Sequence, residues 1–169
     1  MADLTGPFSA PAPLTAEHDL SQFRCSHSDL TDWLQRRARA NEAMQASRTW
    51  VTCLGVQVVG YYALAAGAIE REVVPGSMRR NMPTPIPAVI LARLAVDERC
   101  HQQGLGKGLL LHAVLRSLQV AEAIGTRILL AHAIDAQAVQ FYEKQGFSSA
   151  PQDPQLVLLD LMKVQRPDQ

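Results

Sequence analysis

Two glycines two positions apart, with a lysine directly after the second, are the first residues here whose spacing could do chemistry. They lie in HQQGLGKG, His101 to Gly108, between a segment that reads as a strand and one that reads as a helix. Gly104 and Gly106 let the backbone approach a ligand and take conformations closed to residues with side chains. The unpaired N–H groups of a helix start favour an anion, and a nest of such amides suits phosphate. Lys107 adds positive charge. The same residues could instead form only a turn and a helix cap. Two other phosphate loops are excluded by position. A G-x-x-x-x-G-K-S/T loop fails because residue 101 is His and Gly108 follows Lys107; a G-x-G-x-x-G loop fails because its third glycine falls on Leu109.

The elements that must hold this loop are legible in the pattern around it. Ser28 to about Gln45 reads as one helix, with Leu30, Trp33, Leu34 and Ala38 on one face and Arg36 and Arg39 opposite. Thr49–Leu54 and Val58 to about Glu70 read as strands around a turn at Gly55. Residues 71–87 carry four prolines, a glycine and the pair Arg79–Arg80, so no long regular element fits there. Loops of that length tend to be functional or disordered. Ala88–Val96 is the next strand. Leu105 to about Ile124 is a helix capped by Gly125. Arg127–Ala133 is a buried strand. Asp135 can cap a short helix running to Gln145, and Leu156–Met162 is a last strand. Residues 1–13, rich in Pro, Ala and Ser, read as a loose lead-in.

This order predicts an α/β fold with a mixed sheet. The strand at 88–96, the helix at 105–124 and the strand at 127–133 should form a right-handed parallel crossover, with a ligand crevice at the strands' C-terminal ends.

The chain has 169 residues, 47% hydrophobic and 19% charged, which suits one globular domain. Lys plus Arg equals Asp plus Glu at 16 each, so a basic surface must be local. Cys25, Cys53 and Cys100 are odd in number and far apart, which argues for free thiols in a reducing compartment. No signal peptide and no membrane span are legible, and a cytoplasmic protein is expected. His27, His112 and His132 are singletons, and the adjacent Cys100 and His101 lack ligand partners, so no metal is expected.

The glycine loop resembles the pyrophosphate loop of the GNAT acetyltransferases, Q/R-x-x-G-x-G/A before a long helix, with His101 where Gln or Arg is usual. FYEKQGF, Phe141–Phe147, resembles a second GNAT segment. There an N-x-x-A spacing precedes the aromatic pair, and here Asp135 replaces the Asn while Ala138 keeps the small residue. Beyond these motifs the chain resembles the GNAT toxins of bacterial type II toxin–antitoxin pairs. The matching segments are PLTAEHDLSQFRC, DWLQRRA, SRTWV, GYYALAAGAIE, RRNMPTPIPAVILARLAVD and FYEKQGF, which together span nearly the full length.

The resemblance implies a GNAT fold: a mixed central sheet, helices on both faces, and a strand–Gly-rich loop–helix site for acetyl-CoA as co-substrate. It implies acetylation of the α-amino group of aminoacyl-tRNA, which blocks translation, and it implies a homodimer and a ribbon–helix–helix antitoxin as partners. For cofactor binding it points to Leu94, Ala95, Val96, His101, Gln102, Gln103, Gly104, Leu105, Gly106, Lys107, Gly108, Asp135, Ala138 and Phe141. A main-chain N–H near Leu94–Val96 would meet the acetyl carbonyl. Tyr142 is the implied catalytic residue, donating a hydrogen bond to the CoA sulfur.

The chemistry agrees with that acceptor. An α-amino group with a pKa of about 7.7–8.0 is partly neutral near pH 7, whereas a lysine at about 10.4 would need a base. No Glu stands on the central strand as such a base; LARLAVD offers Arg93 instead. Arg36, Arg39, Arg48, Arg79, Arg80 and Arg93 could gather into a phosphate-binding face for tRNA, and each could equally be a solvated charge. Arg37 lies near the apolar edge of its helix and reads as structural. Trp33 and Trp50 read as core. Two other functions remain open: a GNAT enzyme for a small amine or a protein N-terminus, and a non-catalytic RNA- or partner-binding module.

Overall fold

A computed structural model describes residues 3–166. In chain order the elements are β1 (Ala12–Pro13), α1 (Ser28–Arg36), α2 (Ala38–Ala43), β2 (Arg48–Leu54), β3 (Gln57–Ile69), α3 (Gly76–Arg79), β4 (Ile86–Val96), α4 (Leu105–Ile124), β5 (Ile128–His132), α5 (Ala136–Lys144), β6 (Ser148–Ala150) and β7 (Asp153–Asp160). The strands form one seven-stranded mixed sheet in the order β1-β2-β3-β4-β5-β7-β6. β4 and β5 pair in parallel, Ala88 opposite Ile128, as the α4 crossover between them requires. The pairs β1–β2, β2–β3, β5–β7 and β6–β7 are antiparallel.

The chain gathers into two compact units, Met1–Ala65 with Ala92–Ala113, and Ala66–Leu91 with Val114–Gln169. In the first unit, Leu30, Leu34 and Ala38 of the helices pack on Val51, Cys53, Val58 and Tyr61 of the strands. The apolar stripe read from sequence is therefore the face that is buried. β3 alternates strictly at its centre. Tyr61 donates to Leu30 O of α1 at 2.7 Å, while the hydroxyl of Tyr62 meets His112 Nδ1 of α4 at 2.5 Å. Successive strand residues face opposite sides, so helices cover both faces of this unit's sheet. Residues 58–64 are all buried, which explains why β3 reads as a continuous apolar run.

The second unit has its own core of Ile69, Val74, Met78, Ile86, Ala88, Ile128, Leu130, Leu156 and Leu158. The Pro-rich stretch contributes Val74 and Met78 to it. That stretch folds as a 3-10 turn at Arg71–Val73 and the four-residue α3, and neither is long. Arg127 forks onto Asp160 with Nε to Oδ1 at 2.9 Å and Nη2 to Oδ2 at 3.1 Å. Its Nη2 also donates to Ser77 O at 3.2 Å, pinning α3 down.

Three expectations need correction. The single helix over 28–45 is two, because the backbone leaves helical values at Arg37 (φ −121°, ψ −27°). Arg37 is also exposed there, not set against the apolar edge. The lead-in is not loose over the described residues 3–13; residues 1 and 2 lie outside them. Ala12 and Pro13 pair with Val51 and Trp50. Ser9 N donates to Cys53 O at 2.8 Å, Ser9 Oγ accepts from Cys53 N at 2.9 Å, and Thr52 Oγ1 donates to Ser9 O. An edge strand offers unpaired backbone groups, and this segment satisfies those of β2.

Candidate active site

β4 ends at Val96, and the next residue, Asp97, fixes the course of the chain beyond it. Asp97 is fully buried. Its carboxylate accepts from Arg99 N and Nε at 2.9 Å, from Arg99 Nη2 at 2.9 Å and from Arg24 N at 3.1 Å. Burial alone would raise the pKa of Asp97; the hydrogen bonds from Arg99 and Arg24 outweigh it and hold the carboxyl below its usual value. A tight 3-10 turn, Glu98–Cys100, then delivers the chain to the glycine loop.

In the loop, Gln102 (φ 63°) and Gly104 (φ 79°) take left-handed backbone values. Gly104 needs its missing side chain for that reason; Gly106, already in α4, takes no left-handed value. A cavity of about 180 Å³ lies here, lined by Val96, Cys100, His101, Gln102, Gly104, Leu105 and Gly106. His101, Gln102, Gln103, Lys107 and Gly108 are exposed, while Leu105 is half-buried. The 20-residue α4 starts at this cavity with no acidic residue in its first turn. The positive end of the helix, its free amides and Lys107 therefore meet an anion unopposed. Ala95 is buried, and Leu94 and Val96 are half-buried, on the last residues of β4.

In the second unit, Asp135 caps α5 by accepting from Ala138 N at 2.8 Å, the role an Asn would play. Tyr142 lies about two turns past Asp135, 7% exposed, with Phe141 and Phe147 edge-on to its ring at 5.4 and 5.3 Å. Burial pushes the Tyr142 phenol up to about 12. This hydroxyl therefore keeps its proton at neutral pH. A larger cavity, about 640 Å³, is lined by Val139, Gln140 and Glu143 of α5, Ser149 of β6 and Asp153, Pro154 and Gln155 of β7. Tyr142 does not line it.

Arg36, Arg39, Arg48, Arg79 and Arg80, five of the six candidate tRNA-binding arginines, are exposed, and Arg93 is half-buried. Arg36, Arg79 and Arg80 lie at the ends of α1 and α3, and Arg79 Nη1 donates to Arg71 O at 3.5 Å. The other three also contact their own chain. Arg39 Nη2 donates to His18 O at 2.6 Å and Thr15 O at 3.2 Å. Arg48 pairs with Glu42 at 3.0 Å. Arg93 lies over the Trp33 ring at 5.2 Å, and that ring stacks on Tyr61. Trp50 stacks on Tyr62, and both tryptophans are half-buried.

Sequence reasoning missed the anchoring of Asp97 and the Tyr62–His112 pair. The first had a local signal, an Asp directly after a strand and before a short turn; the second had none. Among the described residues, no group of three or more His, Cys, Asp or Glu gathers as a metal site, and no helix is long and apolar enough to cross a membrane.

Comparison with known proteins converges on one family. The profile of the acetyltransferase (GNAT) domain matches residues 45–149. The chain is 43% identical over 156 residues to the tRNA-acetylating toxin of Mycobacterium tuberculosis (strain H37Rv), covering 92% of this chain and 93% of that one. It superposes on AtaT complexed with acetyl-methionyl-tRNAfMet with a TM-score of 0.85 and 27% identity, over 92% of this chain and 95% of that one. A tyrosine-to-phenylalanine mutant of the AtaT toxin, bound to the C-terminus of the antitoxin AtaR and acetyl-CoA, matches with a TM-score of 0.79 and 25% identity, over 93% and 95% of the two chains.

Proposed function

This chain belongs to the GNAT acetyltransferase family, and from that premise we propose that it transfers acetyl from acetyl-CoA to the α-amino group of aminoacyl-tRNA, acting as a toxin on translation. The observation that carries the reading is the 43% identity, over nearly the whole of both chains, with a toxin that acetylates tRNA.

The residues divide the work. The 101–108 loop and the first turn of α4 hold the CoA pyrophosphate through backbone amides, with Lys107 adding charge. Asp135 and Ala138 at the start of α5, and Phe141 further along it, lie beside the pantetheine. A main-chain N–H of Leu94–Val96 receives the carbonyl oxygen of the thioester. The neutral amine attacks that carbonyl carbon; the new C–N bond forms, the C–S bond breaks, and the amine gives up a proton to solvent. Tyr142 hydrogen-bonds the departing sulfur. With Tyr142 at about 12 and a thiol near 8.5, full proton donation would cost about 5 kcal/mol. Tyr142 therefore stabilises the thiolate without protonating it.

On the acceptor side, Arg36, Arg79 and Arg80 supply phosphate contacts, and Arg39, Arg48 and Arg93 brace the elements that present them. The partners are a second copy of the chain and an antitoxin of the ribbon–helix–helix type, and the site of action is the cytoplasm. The likeness to an AtaT structure that contains the AtaR C-terminus supports an antitoxin.

The test is transfer of labelled acetyl from acetyl-CoA to a total charged tRNA pool, with deacylated tRNA and Tyr142→Phe as controls. Label on charged tRNA alone, lost in the variant, is expected. Intact acetyl-CoA binding with no label on any tRNA would overturn the acceptor assignment and point to small amines or protein N-termini.

A further inference from the structure

We propose that the N-terminal segment is a strap that holds the acetyl-CoA loop in its binding shape, with Leu4 and Gln103 as the positioning pair. This rests on the assignment of residues 101–108 to the CoA phosphates.

The two ends of the loop are held differently. Its entry is fixed inside the fold: Asp97 N donates to Val59 O at 2.8 Å, Glu98 N to Arg24 O at 2.9 Å, and Cys100 N to Asp97 O at 2.9 Å. Residues 101–104, of which His101, Gln102 and Gly104 line the cavity, are exposed. Leu4 ties this stretch down. Leu4 N donates to Arg99 O at 2.9 Å, and Leu4 O accepts from Gln103 Nε2 at 2.7 Å. One residue thus bridges the entry of the loop and its apex.

Gln103 is placed where such a tie matters. It stands between Gln102 and Gly104, both left-handed. Gln102, a non-glycine residue in that region, costs free energy that surrounding contacts must offset. The Gln103 side chain turns to the strap. The strap in turn is anchored away from the loop, by Ser9 on Thr52 and Cys53 and by Ala12–Pro13 on β2. Leu14 N completes the seam by donating to Thr49 O at 2.9 Å. A loop held in its bound shape before the ligand arrives loses less freedom on binding. Removing the tie should weaken CoA binding and leave the acetyl-transfer step itself alone.

The experiment compares Gln103→Ala, Leu4→Pro (which lacks the N–H) and the double variant in the full chain. CoA affinity is read by calorimetry, and amide hydrogen exchange is followed over residues 101–106. Gly104→Val reports whether the loop binds CoA at all. Each single tie variant is expected to exchange faster in the loop and to bind CoA about three- to tenfold more weakly. The double variant should be little worse than the weaker single, because both act through one strap. Leu4→Pro should raise the KM for acetyl-CoA with kcat nearly unchanged. Unaltered exchange at 101–106 in folded variants, or additive losses, would overturn the strap. Faster exchange with CoA affinity intact in Gly104→Val as well would overturn the loop assignment instead, and with it the strap's role in binding.

Discussion

Arg127 grips Asp160 with two prongs, Nε to Oδ1 and Nη2 to Oδ2, in a site where both side chains are largely buried. The first unit repeats the device with Arg99 and Asp97. In each, the carboxylate also caps a backbone N–H, that of Met162 in one and of Arg99 in the other. A buried carboxylate satisfied this way fixes geometry, and loses heavily when one partner is removed.

Arg127→Ala should therefore destabilise the fold by about 3–5 kcal/mol, because it leaves Asp160 buried and unpaired. Replacing both residues with apolar side chains of similar volume should cost much less. Urea unfolding of the two variants measures the difference; equal losses would contradict the pairing account.

The same carboxylates set the acid limit. Burial raises the pKa of Asp97 and Asp160, but hydrogen bonds from Arg99 and Arg127 hold both below the ordinary carboxylate value. Their stabilisation is complete above the unfolded pKa of about 3.9 and is lost as pH falls through the depressed folded values. Stability should be flat from pH 7 to about 5 and drop below pH 4. Asp160→Asn should flatten that drop while lowering the plateau. A variant with the acid slope of the parent would show that other groups carry it.

Tyr142→Phe should lower kcat by about 10²–10³, the usual loss when one donor to a developing charge is removed. Acetyl-CoA affinity should stay within about twofold, because the phosphates are held elsewhere. Stopped-time acetylation assays with a parallel calorimetric titration separate the two quantities. Activity within a few-fold of the parent would remove Tyr142 from the mechanism.

The pH dependence of turnover is tied to burial of the same residue. Acetylation should rise as the acceptor amine loses its proton near pH 8. Since burial pushes Tyr142 up to about 12, phenol ionisation should produce no falling limb before pH 10. A bell centred near pH 9, between an amine near 8 and a phenol near 10, that becomes a plateau in Tyr142→Phe would instead make Tyr142 an acid with an ordinary pKa.

Tyr61→Phe should cost about 0.5–1.5 kcal/mol, the net worth of its hydrogen bond to Leu30 O. Trp33 stacks on that ring and carries Arg93 above it, so the substitution should leave the stack and the aromatic circular-dichroism signal intact. Loss of that signal would mean the hydroxyl orients the stack as well as anchoring α1.

How much of the structure is legible in the chain depends on the range of the cause. α4 is read from sequence at its observed ends because Gly125 (φ 74°) ends it and an apolar pattern fills it. Asp135 and Ala138 are legible as a cap because a few adjacent residues hold the whole interaction. β1 and β6 escape a sequence reading because two or three residues carry no alternation, and their pairing comes from the neighbouring strand. The break at Arg37 has neither Gly nor Pro to announce it; the turn from α1 into α2 is imposed by packing on β2. Among the exposed arginines, composition cannot tell Arg48, tied to Glu42, from Arg80. The tie between Leu4 and Gln103 has no sequence mark, since it joins a backbone carbonyl to a residue 99 positions away.

That separation has a thermal consequence. A segment held by a few exposed hydrogen bonds opens at a free energy below that of global unfolding. If the strap lifts before the core melts, the protein has two transitions on heating. The lower would be seen only as a fall in cofactor affinity, with the far-ultraviolet spectrum unchanged. Warming would then disarm the enzyme while leaving it folded, and cooling would restore it without a refolding step.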